Sequence, residues 1–342
     1  MINELDGKCH HQLAGYNENH PRYTGPKTAK RGVHVTSTEA GANRPAKRNE
    51  SLGLLLGLVG VLIFSLTLPF SRVAVGSFGA LIVGPGRALI ATAFAVPFLW
   101  RRHEKFPGRK YLAGLVMIIV GAIFGFPLLT AWAMDRVPAS HGAVELALLP
   151  LATTAASALR HGERPSWLFW LCSVGAALTV AMYTGFTGFG GMHMADLALL
   201  GAVIIVAFAY AEGGRMARDL GGWQVIAWSI VLATPAVIIL LGLDFALAGV
   251  TPRLHASWTA WAGLLYLGVG SQFFGFVAWY TGMGLGGVAR VSQTQYLQPF
   301  FTILFSWVLL GEKLTIPTVT TALIVVLWVA LGKRTSVRKR TS

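Results

Sequence analysis

Glu145-Leu-Ala-Leu-Leu-Pro150 and Thr294-Gln-Tyr-Leu-Gln-Pro299 are two versions of one phrase. Twelve residues after its proline each is followed by a glycine and an acid, Gly162-Glu163-Arg164 in one case and Gly311-Glu312-Lys313 in the other. The two copies are offset by 149 residues. A further pair of markers, Arg72 and Arg215, precedes the prolines by 78 and 84 residues, a difference that loop lengths absorb. Both phrases lie inside apolar blocks of about twenty residues, the length of a helix that crosses a bilayer. The pattern predicts a membrane protein made from a duplicated unit.

Composition agrees with that reading. Of 342 residues, 54% are hydrophobic and only 12% are charged, where a soluble domain carries about 25% charged residues. A soluble enzyme and a disordered protein are both excluded. Two cysteines, Cys9 and Cys172, rule out a disulfide scaffold and any cysteine-rich metal site. Ten apolar segments are predicted to span, at 52–74, 78–100, 111–134, 137–159, 166–184, 196–214, 223–247, 258–282, 288–310 and 316–332. Their connections are short, as in helical bundles, and their internal Gly and Pro are tolerated by membrane helices. Five spans per copy is an odd number, so the second copy enters the membrane upside down. Inverted repeats are a mark of secondary transporters, whose site lies near the midplane between the halves. The expected fold is an all-α integral membrane protein, with ten transmembrane helices in two inverted five-helix repeats around a central cavity. The first repeat is assigned to 51–190 and the second to 191–332.

The ends are polar. Residues 1–50 hold eight Lys/Arg and five acids with no apolar run, and read as a disordered basic arm. The arm lacks the apolar core of a secretory signal, and whether it is a real arm or an artefact of the assigned start site is left open. Cys9, His10, His11 and His20 match no standard zinc spacing, and no metal or cofactor is expected anywhere in the chain. A cytoplasmic N-terminus places 23 of the 28 Lys/Arg on the inside and four outside, with Arg87 within a span. Without the arm and the basic tail 333–342 the ratio is still ten to four. The positive-inside rule then sets both termini in the cytoplasm. The net charge of +14 serves orientation and anionic lipid, and no nucleic-acid partner is expected.

From about residue 52 to 332 the chain resembles the drug/metabolite transporter superfamily, in its EamA-like branch. The most specific stretches are Tyr266-Leu-Gly-Val-Gly-Ser-Gln272, Ala278-Trp-Tyr280, Gln298-Pro299 and Gly311-Glu312-Lys-Leu-Thr315. Arg87, Leu149-Pro150 and Gly162-Glu163-Arg164 follow the family pattern more loosely. The resemblance implies ten helices in two inverted repeats, a central polar cavity, and transport of small metabolites such as amino acids. It also implies the bacterial inner membrane. The N-terminal arm is no part of the family pattern.

Charge at membrane depth is costly and marks candidate function. Glu145 lies roughly 5 Å from the midplane at 1.5 Å per residue, where a carboxyl can take up and release a proton as the cavity opens to each side. The alternative is a permanently paired Glu that fixes packing. Arg87, near the centre of the second span, keeps its proton; a cavity-facing arginine binds a substrate carboxylate, whereas a structural one pairs with Glu145. His141 lies one turn before Glu145 on the same face, either as a proton relay or as an inert neighbour. Arg290, Thr294 and Gln298 form a stripe in the ninth span, with Gln293 and Gln295 beside it, and read as a cavity wall or as interhelical hydrogen bonds. Gln272 is a further polar group at depth. Trp132, Trp279 and Tyr280 read as gates or as interface anchors. Pro69, Pro127, Pro150 and Pro299 interrupt helices, and the matched pair Pro150 and Pro299 are the candidate hinges. Gly53/Gly57, Gly121/Gly125 and Gly282/Gly286 match GxxxG, a weak signal in a glycine-rich chain.

The chain lacks a phosphate-binding G-x-x-x-x-G-K-[ST] loop, HExxH and GxSxG. The expected activity is secondary transport, with proton-coupled export of a small metabolite leading. An uncoupled facilitator or flippase-like carrier is the alternative, and an integral membrane enzyme a distant one. Substrate, direction, coupling ion and oligomeric state, with a homodimer one option, stay open at this point.

Overall fold

The computed structural model describes residues 44–161, 166–187, 194–248 and 256–333. The arm up to residue 43, the Gly162-Glu163-Arg164 marker and the tail after Lys333 lie outside the described residues. Among the described residues every regular element is helical. The chain runs α1 (Arg44–Ser65), α2 (Thr67–Leu81), a π-helical turn Ile82–Gly86, and α3 (Arg87–Arg101). Then α4 (Leu112–Ile118) and α5 (Phe126–Met134) flank a π-helical segment, Ile119–Gly125. After them come α6 (Ala139–Leu146), α7 (Leu149–His161), α8 (Trp167–Thr187), α9 (Met194–Leu220) and α10 (Gly222–Ala248). Next, α11 (Trp258–Leu265) and α12 (Phe276–Gly286) flank a third π-helical segment, Tyr266–Gly275. The short α13 (Val288–Val291) leads through a 3-10 segment, Ser292–Leu297, into α14 (Gln298–Leu310), and α15 (Ile316–Lys333) follows.

Six helical stretches are long and apolar enough to cross a membrane: Glu50–Arg101, Arg109–Met134, Ala139–Arg160, Met194–Leu220, Gly222–Leu247 and Trp258–Gly286. Outward faces carry the apolar surface that a bilayer requires. On the Met194–Leu220 and Gly222–Leu247 stretches Leu197, Ile204, Ile238, Ile239 and Leu243 are exposed, and on α8, a shorter apolar helix, so are Leu171, Val174, Leu178 and Met182, while Ser, Thr, Gln, Arg and Glu side chains fill buried positions. This inside-out partition, with polar groups inward and aliphatics outward, is what lipid selects. The protein is an integral membrane protein.

Neighbour relations show how the rods run. Gly53 meets Gly286, Gly60 meets Trp279, and the Phe78 ring lies 4.7 Å from Trp261, so 50–78 runs antiparallel to 258–286. Ile90 meets Gly268, and Phe94 lies 6.1 Å from Phe273, so α3 runs parallel to 258–286. The chain therefore reverses between Phe78 and α3. The turn sits at Gly79, whose φ of 78° is open to glycine and costly for other residues. The 52 residues of Glu50–Arg101 thus form two rods, the first ending a few residues beyond the expected 74.

Three more antiparallel pairs complete the frame. The 112–134 rod packs on α9, with Gly121 against Ala209 and Gly114 against Glu212. α3 packs on α10 through Thr92 and Thr234, whose hydroxyls are 2.8 Å apart. α8 packs on α15 through Tyr183 and Thr318, 3.0 Å apart, and Gly175 against Trp328. The GxxxG pairs are contact surfaces after all: a Cβ at Gly53 would lie 2.4 Å from the Gly286 nitrogen, and one at Gly282 2.8 Å from the Gly53 oxygen. Backbones approach this closely only without side chains.

Each of the four expected prolines marks a helix break. Pro69 follows the interruption at Leu66, while Pro127, Pro150 and Pro299 are each the second residue of a new helix. There the missing N–H belongs to a first turn whose N–H groups have no helical partner anyway. Pro85 adds a fifth break, in the π-helical turn beside Gly84.

Candidate functional site

A small cavity of about 10 Å³ lies where the rods meet, lined by Phe64, Thr67, Arg87, Phe126, Leu146, Tyr210, Ser271, Phe276 and Gln298. That is about the room of one water. Its polar groups come from α2, α3, α9, the third π-helical segment and α14. Arg87 is 1% exposed. Its Nε donates to Gln272 Oε1 at 3.0 Å, and Gln272 Nε2 donates to the Ala122 carbonyl at 3.3 Å. Ala122 sits in the π-helical segment Ile119–Gly125, where irregular winding leaves a carbonyl free to accept. Across the cavity the Thr67 and Ser271 hydroxyls lie 2.9 Å apart. Gln298 is buried, and its side-chain oxygen has no hydrogen-bond partner. The expected pair between Arg87 and Glu145 does not form: Arg87 takes Gln272, and Glu145 takes His141. Among the described residues no carboxylate pairs with this buried guanidinium, and burying an uncompensated charge costs several kcal/mol.

A second polar cluster stands at the start of α6. His141 Nε2 lies 2.8 Å from Asp196 Oδ1 and 3.3 Å from Glu145 Oε1. The first contact crosses to α9; the second is the i,i+4 neighbour that the spacing predicts. One imidazole nitrogen faces both carboxylates and carries at most one hydrogen. Asp196 takes the aligned contact, and both Glu145 oxygens are left without a hydrogen-bond partner. Glu145 is fully buried, Asp196 nearly so, and His141 is partly exposed. The Tyr183 ring lies 5.2 Å from the imidazole.

The other sequence candidates fall in different places. Trp279 and Tyr280 are fully buried, so neither sits at a lipid interface. Trp279 packs 5.6 Å from Tyr210 and 6.2 Å from Phe64, and its indole N–H has no partner. Tyr280 donates to the Ala209 carbonyl at 3.2 Å. Trp132 is half-buried, with the Arg136 guanidinium 3.8 Å over its ring. Thr294 turns back on its own segment, donating to the Val291 carbonyl at 2.8 Å. Gln295 is buried with both side-chain polar atoms unpartnered. Pro150 and Pro299 each stand directly after an interruption, Ala147–Leu148 in one rod and the 3-10 segment in the other. Arg290 pairs with Glu50.

Sequence reasoning missed Asp196, Tyr210, Thr67 and Ser271. Asp196 is the first residue of its expected span and looks there like an ordinary boundary acid. Tyr210 carries its hydroxyl at mid-span, a polar tip that was visible in the sequence.

A family model described as the EamA-like transporter family matches this chain twice, over residues 51–185 and 193–331. The chain is 39% identical over 287 residues to a Bacillus subtilis (strain 168) protein named "Uncharacterized transporter YdeK", covering 82% of this chain and 97% of that one. It is 24% identical over 261 residues to a Streptantibioticus cattleyicolor protein named "Probable terminal-alkyne amino-acid exporter", covering 74% and 83%. A solved crystal structure shares the fold with a TM-score of 0.58 at 20% identity, over 82% of this chain and 96% of that one. With an apolar helical body and two consecutive family matches that cover nearly all of it, the chain belongs to the EamA-like transporter family.

Proposed function

We propose that this transporter is a proton-coupled exporter of small carboxylate-bearing metabolites, amino acids or their relatives. It works in the bacterial inner membrane, with both termini cytoplasmic. The observation that carries the reading is Arg87, a buried cation on a polar and aromatic cavity with no carboxylate of its own. A substrate carboxylate supplies the missing partner, and charge-assisted bonds of this kind are about twice as strong as neutral ones. Phe64, Phe126, Phe276 and Tyr210 line the space beside it, apt for an aliphatic or unsaturated side chain. The name of the Streptantibioticus relative points to the same substrate class.

The ten-helix inverted repeat, with halves near 51–190 and 191–332, is the architecture we propose for it. The tandem family match supports it. So does the packing: exchanging the halves turns the contact of 50–78 with 258–286 into that of α9 with the 112–134 rod. Both are antiparallel and glycine-lined. The same exchange pairs the π-helical segments Ile119–Gly125 and Tyr266–Gly275, and the interruptions before Pro150 and Pro299. In the present form the cavity holds about one water, so a solute enters when the halves part. Pro150 and Pro299 then act as hinges.

Glu145 is the proton carrier in this reading. It lies one residue from the cavity-lining Leu146, and neither of its oxygens has a hydrogen-bond partner, so binding a proton removes a buried charge that is offset only across the 3.3 Å contact to His141. A second reading, uncoupled exchange, is favoured by His141, which already stands within ion-pair distance of Glu145. Solute counterflow in proteoliposomes separates the two. Vesicles are loaded with pooled amino acids, with or without an imposed pH gradient. For the coupled exporter the gradient drives accumulation in the native protein, while Glu145→Gln keeps exchange and loses the drive. If Glu145→Gln still responds to the gradient as the native protein does, Glu145 is structural. If folded native protein exchanges no pooled solute, the substrate class is wrong.

A further inference from the structure

The sequence offers no metal-binding pattern, yet the fold assembles one. We propose that His141, Glu145 and Asp196 form a site for one borderline divalent cation of the zinc class, and that the bound ion clamps α6 to α9.

The three side chains each offer one ligand atom, and all three atoms lie within 4.8 Å of one another. The His141 Nε2 to Glu145 Oε1 contact at 3.3 Å matches the spacing of roughly 3.3 Å between neighbouring tetrahedral ligands about 2.0–2.1 Å from one ion, and the 2.8 Å contact with Asp196 Oδ1 must open by roughly half an ångström to admit it. Glu145 is independent support. It is fully buried and points into the cluster, and neither of its oxygens has a hydrogen-bond partner. A carboxylate left so is costly, and a cation in the cluster would satisfy it. Among the described residues no Lys or Arg pairs with Glu145 to do so instead.

The donor set selects the ion. One imidazole nitrogen and two carboxylates suit zinc and its borderline neighbours. Calcium and magnesium prefer oxygen shells, and the cluster has no thiolate for softer ions. Two carboxylates balance a divalent charge. Three protein ligands leave a fourth position for water. The Tyr183 ring packs beside the imidazole, 5.2 Å away. Entry is by His141, the partly exposed member, in the first turn of α6. The ligands come from two separate helices, so an ion held between them resists their separation. That consequence rests on the transport reading above; the binding itself does not.

The test has two arms on purified full-length protein. In the first, zinc is titrated by calorimetry into native protein, His141→Ala, Asp196→Asn and Glu145→Gln, each checked for folding by its thermal melt. Cobalt is titrated in parallel for its visible absorption. The native protein is expected to bind one equivalent more than the variants, or to bind at least about tenfold more tightly. Equal stoichiometry and affinity in native and variant proteins would place any binding elsewhere, as in the histidine-bearing arm, and overturn the site; so would no binding at all. In the second arm, zinc added to native proteoliposomes stops counterflow and a chelator restores it. Flux that is unmoved at saturating zinc overturns the clamp. Absence of counterflow before any metal is added counts against the transport reading alone, since the calorimetry does not depend on it.

Discussion

Arg87 shows what a single side chain decides here. Its guanidinium is planar and forked, so one edge can hold Gln272 while the other faces the cavity. Arg87→Lys keeps the charge and loses the fork. Two charge-assisted hydrogen bonds are at stake, each worth about 1.5–3 kcal/mol, so the counterflow KM is expected to rise by at least about tenfold with the protein still folded. An unchanged KM would remove Arg87 from the substrate site. Gln272→Ala should act more weakly in the same direction, because it releases Arg87 from the Ala122 tether without touching solute. At this scale the sequence pointed to residues that the fold buries: Arg87, Glu145 and Gln272 are all at most 1% exposed. They stood out because charge and amide are rare at mid-span. The sequence could not display azimuth, the direction in which a residue leaves its helix. The Arg87–Glu145 pairing was therefore open on paper and absent in space, and Asp196, from a helix more than fifty residues later, was invisible as the partner of His141.

Among elements, the breaks matter more than the helices. Hydropathy pointed to the apolar stretches, six of which are long enough helices to span, but it missed ends such as that of α9, which runs to Leu220 rather than 214; prolines located the interruptions, because a missing N–H is a local fact. Glycine contacts were less legible: GxxxG is common in a chain with 40 glycines, and only packing tells which pairs touch. Gly282→Ala puts a methyl 2.8 Å from the Gly53 oxygen and the Gly57 nitrogen. Backbone atoms cannot rotate aside, so the rods must part at a cost of about 1–3 kcal/mol. The expected result is a melting temperature several degrees lower in detergent, against no change for Gly76→Ala, which has open space around it. Glu312 is the other decisive element-level residue. Its two oxygens accept from the Ala139 and Ser140 N–H groups at 2.8 and 2.9 Å, capping the first turn of α6. Glu312→Ala leaves both donors without this acceptor and should cost about 1–2 kcal/mol, read by the same melt.

At the level of the molecule, two ionic ties stand out. His141–Asp196 joins the start of α6 to the start of α9. Arg290–Glu50 joins the short α13 to the rod that begins near residue 50. His141 and Arg290 are 149 residues apart, the same offset as the repeated phrases. In the inverted-repeat reading these are one contact seen from opposite sides of the membrane, so they should release alternately. Cysteine pairs replacing His141 and Asp196, or Glu50 and Arg290, test this in a Cys9→Ser background. Oxidative cross-linking of either pair should stop counterflow and reduction restore it; full flux through cross-linked protein would deny both ties a gating role. The two phrases marked by spacing fall one in each of the two tandem family matches, 51–185 and 193–331. How the halves interlock was not readable from spacing, because that depends on contacts between segments far apart in sequence.

That interlock bears on how the protein is made. α6 lies in the first half, but the carboxylate that caps it arrives with residue 312, near the end of the chain. During synthesis the opening turn of α6 must wait, uncapped, while about 170 further residues are translated and inserted. A nascent chain stopped short of that acid would carry a half whose helices are in place and whose edge is still unfinished.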